Sequence, residues 1–271
     1  MLKQRLLTAF ILIPPLLWVL TLSSQILAGV AGLFVVLGAW EWARLCGWQT
    51  KTTRILYTIL FSFALLLTYQ FRDQMVTYIL WGACLWWFIA LFWILRYQQT
   101  QSIPLSPLLK AILGVVILLP SWLAVLHLHE HEQYGWTWVI FLLVLIWAAD
   151  SGAYFAGKRF GKRKLAPQIS PGKTYEGVVG ALLMSLIVSL LYALNLSISP
   201  MALILFLLLC LLTVMASILG DLLESLFKRQ AGVKDSSHIL PGHGGILDRI
   251  DSLTAAAPIF VIGLISLGSL L

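Results

Sequence analysis

The sequence predicts an all-α polytopic membrane protein of about nine transmembrane helices, with its N-terminus in the cytoplasm. Three observations lead there. The 271 residues are 60% hydrophobic and only 11% charged, whereas a water-soluble domain carries about 25% charged residues. That composition excludes both a soluble globule and a disordered chain. Apolar runs close to the roughly 20 residues needed to cross a bilayer recur from end to end. Lys and Arg then gather on one side of those runs, as the positive-inside bias requires.

Taken in order, the runs cover 6–22, 26–42, 55–69, 75–95, 108–128, 136–155, 178–196, 201–219 and 253–271. The first follows Lys3 and Arg5, as a secretory signal would. Eight more runs succeed it and no clear small-residue cleavage site closes it, so it reads as a retained helix. Pro14 and Pro15 are expected to kink it. The third run is short and is expected to extend into its flanks. With sides alternating, the cytoplasmic segments hold Lys3, Arg5, Arg44, Lys51, Arg54, Arg96, Lys110, Lys158, Arg159, Lys162, Arg163, Lys164, Lys173, Lys228, Arg229, Lys234 and Arg249. These are 17 of the 18 bases, and only Arg72 falls on the far side. A miscounted span would break the alternation from that point onward. An odd count places the C-terminus on the far side.

No soluble domain fits between the spans and no internal repeat is visible. The chain therefore reads as one integral membrane domain over 1–271, with N-terminal spans in 1–135 and the chemistry-bearing spans in 136–271. The net charge of +7 is assigned to cytoplasmic loops, anionic headgroups and anionic substrates rather than to nucleic acid. Cys46, Cys84 and Cys210 lack metal-ligand spacing and read as small apolar residues in or near spans.

Seven of the 11 acids lie from residue 150 onward: Asp150, Glu176, Asp221, Glu224, Asp235, Asp248 and Asp251. Asp150 sits late in the sixth run, where an ionisable group either faces a polar interior or lies just past the hydrocarbon edge. If the eighth helix continues past its apolar run, Asp221, Ser225 and Lys228 share one face. That arrangement also suits a plain helix ion pair.

The stretch 225–251 mixes Lys228, Arg229, Lys234 and Arg249 with Asp235, Asp248 and Asp251, punctuated by Gly232, Gly242, Gly244 and Gly245. Glycines let backbone amides approach phosphate oxygens. Cations hold phosphate charge. Mg²⁺ prefers one or two carboxylates plus substrate phosphates over a full protein cage. The mixture suits a metal–polyphosphate site; its alternative is a flexible mixed-charge loop. In 150–177, the bases from Lys158 to Lys164 read mainly as a topology anchor against anionic lipid. Ser170-Pro171-Gly172-Lys173-Thr174 is not a P-loop, because Pro167 occupies the position of the first required glycine. A dinucleotide fingerprint fails too, because Leu247 stands where the third glycine would be. His127, His129 and His131, if extended, could hold a transition metal, but no fourth ligand accompanies them, and a short solvated loop is the preferred reading.

Ser225-x-x-Lys228-Arg229, then Lys234-Asp235, then Pro241-Gly242-His243-Gly244-Gly245-Ile246-Leu247-Asp248-Arg249-Ile250-Asp251 resembles the signature of the phosphatidate cytidylyltransferase family, also called CDP-diacylglycerol synthases. Every specified position is filled. The stretch from Asp150 to Glu176 resembles that family's second polar block. The likeness extends to length, span number and the C-terminal placement of the motif.

The resemblance implies the reaction CTP + phosphatidate → CDP-diacylglycerol + diphosphate. It also implies Mg²⁺, a site facing the cytoplasm at the bacterial inner membrane, and a homodimer. Guided by it, Asp221 and Asp248 are expected to hold the metal. Lys228, Arg229, Lys234 and Arg249 are expected to hold triphosphate or lipid phosphate. Gly242, Gly244 and Gly245 are expected to give backbone approach, with His243 donating to a phosphate. Asp235 and Asp251 are expected to orient bases or metal-bound water. Ser170, Lys173 and Ser225 are expected to close the substrate site, and Asp150 is a weaker candidate. The rivals are a membrane nucleotidyltransferase or lipid kinase with another lipid acceptor, and an ion or solute transporter. A transporter should show repeats or paired broken helices, and neither is visible.

Overall fold

The computed structural model describes residues 14–100, 105–131, 135–237, 239 and 244–268. Residues 14–20 are helical; the rest of the first expected span up to 13, with Lys3 and Arg5, lies outside the described residues. Eight helices follow: α1 (Ser24–Leu45), α2 (Lys51–Gln70), α3 (Arg72–Thr100), α4 (Pro107–His129), α5 (Gly135–Phe160), α6 (Tyr175–Ala193), α7 (Pro200–Gln230) and α8 (Leu247–Leu267). Each is long and apolar enough to cross a membrane. Two short antiparallel strands, β1 (Lys164–Ala166) and β2 (Ser170–Thr174), form a hairpin between α5 and α6.

Helix starts follow local chemistry. Ser23, Thr50, Ser106, Thr174 and Ser199 each accept a hydrogen bond from a backbone amide three residues on. Such caps satisfy amides that the helix itself leaves unpaired. Pro107 and Pro200 sit just inside two of these starts, where proline's missing N–H is harmless. The third expected span does extend into its flanks, from 55–69 to Lys51–Gln70.

In lipid, helices associate through close packing of small residues rather than through hydrophobic exclusion. The most extensive pairings are α5 with α6 and α7 with α8. A Cβ on Gly152 of α5 would stand 2.5 Å from the Gly180 carbonyl oxygen of α6. A Cβ on Gly220 of α7 would stand 2.5 Å from the Asp251 carbonyl oxygen of α8. Large apolar side chains divide between two environments. Trp42, Trp87, Phe61, Phe206, Phe227 and Phe260 are fully buried, while Leu66, Trp81, Phe88, Leu191 and Leu212 are more than half exposed. In a bilayer those outward groups meet acyl chains.

The two ends of the bundle differ. At one end Arg72 pairs with Glu130 at 3.2 Å. There His129 Nδ1 lies 3.0 Å from Ser24 Oγ and Nε2 lies 2.8 Å from the Leu20 carbonyl oxygen. His127 and His129 lie half-buried on the last turn of α4, so these two form neither an extended metal-binding strand nor the expected solvated loop. No group of three or more His, Cys, Asp or Glu side chains placed to hold a metal occurs among the described residues. The opposite end collects the hairpin, the C-terminal turns of α1, α5 and α7, and the start of α8.

Candidate active site

Two helices run past their apolar cores into this charged end, and that overrun builds the site. The eighth expected span, 201–219, continues as α7 to Gln230. The ninth, expected from 253, begins at Leu247. Signature residues 247–251 are therefore the first helical turns of α8, and residues 225–229 are the last turns of α7, rather than one long loop. Asp221, Ser225 and Lys228 fall along one face of α7, and Ser225 Oγ donates to Asp221 Oδ1 at 3.2 Å.

Lys228 lies between two acids. Its Nζ donates to Asp248 Oδ1 at 2.6 Å and stands 3.0 Å from Glu224 Oε1. The Glu224 contact is a close ion pair, and this acid has no other hydrogen-bond partner among the described residues. All three side chains are at most 10% exposed. Asp248 Oδ2 accepts from Ser236 N at 3.0 Å, Ser236 Oγ at 2.8 Å and Gly245 N at 2.8 Å.

The hairpin supplies the second cation. Lys173 on β2 pairs with Asp221 Oδ2 at 2.7 Å. Arg229 Nε donates to the Ile169 carbonyl oxygen at 3.2 Å, tying α7 to the hairpin turn. Glu176 accepts from the Lys162 and Arg163 amides at 3.1 and 3.2 Å, fixing the hairpin's approach to α5. Ser170 to Thr174 form a strand, in agreement with the failed P-loop spacing. Asp150 is exposed on α5, within electrostatic reach of Lys173 and Asp221. Asp251 lies within electrostatic range of Asp221, Lys228 and Lys173. Asp221, Glu224 and Asp248 thus contact two ammonium groups, and Asp150 and Asp251 lie within electrostatic range of the same end. Asp221 and Asp248 supply the one or two carboxylates that Mg²⁺ takes alongside phosphate oxygens and water.

Other expected site residues sit around this core. Lys234 and Asp235 are exposed on the turn after α7, Arg249 is exposed on α8, and Ser170 is half-buried on β2. Gly242 and His243 lie outside the described residues. Gly244 has φ +80°, a conformation that favours glycine. Gly245 has a different reason to lack a side chain: a Cβ there would collide with Ser236 Oγ and lie 2.6 Å from Glu41 Oε2. Its amide is already committed to Asp248.

Sequence reasoning missed Glu41, Ser236 and Ser237. Glu41, on α1, is fully buried. It accepts from Ile246 N at 3.1 Å, Leu247 N at 2.8 Å and Ser236 Oγ at 3.0 Å, and also from Ser237 Oγ. The available signal was an acid inside the apolar run 26–42; nothing local pointed to partners some 200 residues away.

A bundle of helices long and apolar enough to cross a membrane, with a cluster of acids and bases at one end, defines an integral membrane protein whose candidate site suits phosphate chemistry. The Cytidylyltransferase family model matches residues 3–267, and the chain belongs to that family. The chain is 44% identical to the phosphatidate cytidylyltransferase of Pseudomonas aeruginosa over 261 residues, 96% of each chain. It is 40% identical to that of Haemophilus influenzae over 280 residues, 96% of this chain and 97% of the other. It is 46% identical to that of Bacillus subtilis over 127 residues, 47% of each.

Proposed function

We propose that the protein transfers the cytidylyl group of CTP to phosphatidate, giving CDP-diacylglycerol and diphosphate, at the bacterial inner membrane with its charged end toward the cytoplasm. The observation that carries this reading is the joining of the signature helix to the second polar block: Arg229 donates to the Ile169 carbonyl oxygen, and Lys173 pairs with Asp221, one turn before Ser225 on α7.

The nucleophile is the phosphate monoester of the lipid, whose second pKa of about 6 leaves it largely dianionic at neutral pH. No strong general base is needed. The attack falls on the α-phosphorus of CTP, and diphosphate leaves. Both reactants are anions, so the barrier is mainly repulsion and alignment. Lys173, Lys228, Arg229, Lys234 and Arg249 provide cations for the triphosphate and the lipid phosphate. Asp235 and Asp251 orient them, and Ser170 and Ser225 line the substrate site. Gly242, Gly244 and His243 bring donors to phosphate oxygens.

Asp221 and Asp248 would hold Mg²⁺, with Asp150 beside them. The ion would neutralise charge on the phosphates and fix their alignment. Glu224 already pairs with the Lys228 ammonium, so Asp248 Oδ1 would exchange that lysine for the ion without leaving the lysine unpaired. CTP arrives from water and phosphatidate from the bilayer. The exposed Asp150, ten residues before the end of α5, supports a chamber that opens sideways as well as toward the cytoplasm. Polar surface at membrane depth is tolerated where it lines such a cavity. The protein is expected to act as a homodimer and to have no nucleic-acid partner.

The test uses purified protein in detergent–lipid micelles with α-labelled CTP, phosphatidate and Mg²⁺. Label should enter a chloroform-soluble product only when all three are present. Label transferred from the γ-position would indicate a lipid kinase. Solute flux without CTP consumption would indicate a transporter.

A further inference from the structure

Five helices carry their own Ser or Thr cap, but α8 does not. The residue before it is Ile246, with no side-chain cap. Glu41 of α1 supplies the missing acceptors from outside. One carboxylate oxygen holds the Ile246 amide and the Ser237 hydroxyl; the other holds the Leu247 amide and the Ser236 hydroxyl. A helix N-terminus favours an anion both through its unpaired amides and through its dipole. The two serines extend the same grip to the signature loop. Ser236 also reaches Asp248, so its single hydroxyl proton is shared between two carboxylates. Gly245 leaves the space that the Glu41 carboxylate fills.

We propose that Glu41 is a positioning residue for the transfer reaction. It fixes the start of α8 and the loop at 236–237, and thereby the direction in which Asp248 and the signature present themselves to substrate. The proposal rests on the cytidylyl-transfer reading. It makes the N-terminal half part of the reaction's framework.

The test compares full-length wild type with Glu41→Gln and Glu41→Asp. The readouts are kcat, KM for CTP and phosphatidate, and amide exchange by mass spectrometry. Glutamine keeps the shape but turns an N–H₂ toward one backbone amide. Misplacement of a reacting group by about 1 Å costs about a hundredfold in rate, so kcat should fall between about tenfold and a hundredfold. KM should stay within about threefold, as expected when the lost alignment is expressed in the transition state. Glu41→Asp, which keeps the charge, should recover part of kcat. Exchange should quicken at 236–237 and 245–247 and stay at the wild-type rate in α5 and α6. A wild-type kcat in Glu41→Gln would overturn the proposal. So would unchanged exchange at 245–247, or equal quickening in every helix. A wild type without phosphatidate-dependent CTP turnover would overturn the transfer reading instead, and the exchange comparison would still decide whether Glu41 holds the loop.

Discussion

Replacing Lys228 with Met keeps most of the side chain's length and removes its charge. In the wild type the ammonium is 2.6 Å from Asp248 and 3.0 Å from Glu224, and the two acids are 8% and 4% exposed. The variant leaves two buried carboxylates without their cation. Breaking a buried pair by removing one partner costs about 3–5 kcal/mol, at least about a hundredfold in the folding equilibrium at about 1.4 kcal/mol per decade. Unfolding in detergent, followed by tryptophan fluorescence, measures the loss. The double variant Lys228→Met with Glu224→Gln should regain part of it, because one of the stranded charges is gone. Arg72→Met at the other end is the control. Its pair with Glu130 is more exposed, with side chains 28% and 29% accessible, and its loss should be smaller than that of Lys228, nearer the roughly 0–1 kcal/mol of surface pairs. A Lys228→Met loss below about 1 kcal/mol, or a double variant no better than the single, would refute the reasoning.

Three further outcomes are expected. Gly245→Ala forces a methyl group against Ser236 and Glu41. Overpacking of this kind costs about 1–3 kcal/mol, read by the same unfolding assay; unchanged stability would mean the loop yields freely. Asp248→Asn should abolish turnover while the protein still inserts into membranes, and wild-type activity at saturating Mg²⁺ would remove Asp248 from the metal role. Chelation of Mg²⁺ should stop product formation and its re-addition should restore it, since Mg²⁺ needs only one or two protein carboxylates plus phosphate oxygens. Full turnover in excess chelator would count against the metal.

Much of the architecture is legible because the bilayer makes hydropathy a direct read of span number. All eight described spanning helices overlap expected runs, and the short third run lengthens as anticipated. The helix ends are less legible. Hydropathy stops where charge begins, yet α7 continues eleven residues past 219, because side chains such as Lys228 find acids on α8. The start of α8 at Leu247 was hidden for the same reason: its cap lies on α1. Of the site, the motif residues were readable because the signature is contiguous in sequence. The pairings were not. Lys173 with Asp221 and Glu41 with Leu247 join residues 48 and 206 positions apart, and no local pattern records such a contact. The glycines show the limit of residue-type reasoning: Gly245 suits phosphate approach by composition, but in the fold its open side is taken by Glu41.

The most direct test of the central claim follows the oxygen atoms. Phosphatidate carrying ¹⁸O in all terminal phosphate oxygens is incubated with CTP, Mg²⁺ and the purified protein, and the products are weighed by mass spectrometry. Attack by the lipid phosphate on the α-phosphorus predicts a CDP-diacylglycerol that keeps every ¹⁸O and a diphosphate that carries none. Loss of ¹⁸O from the lipid product, or its arrival in the water-soluble product, would contradict the account.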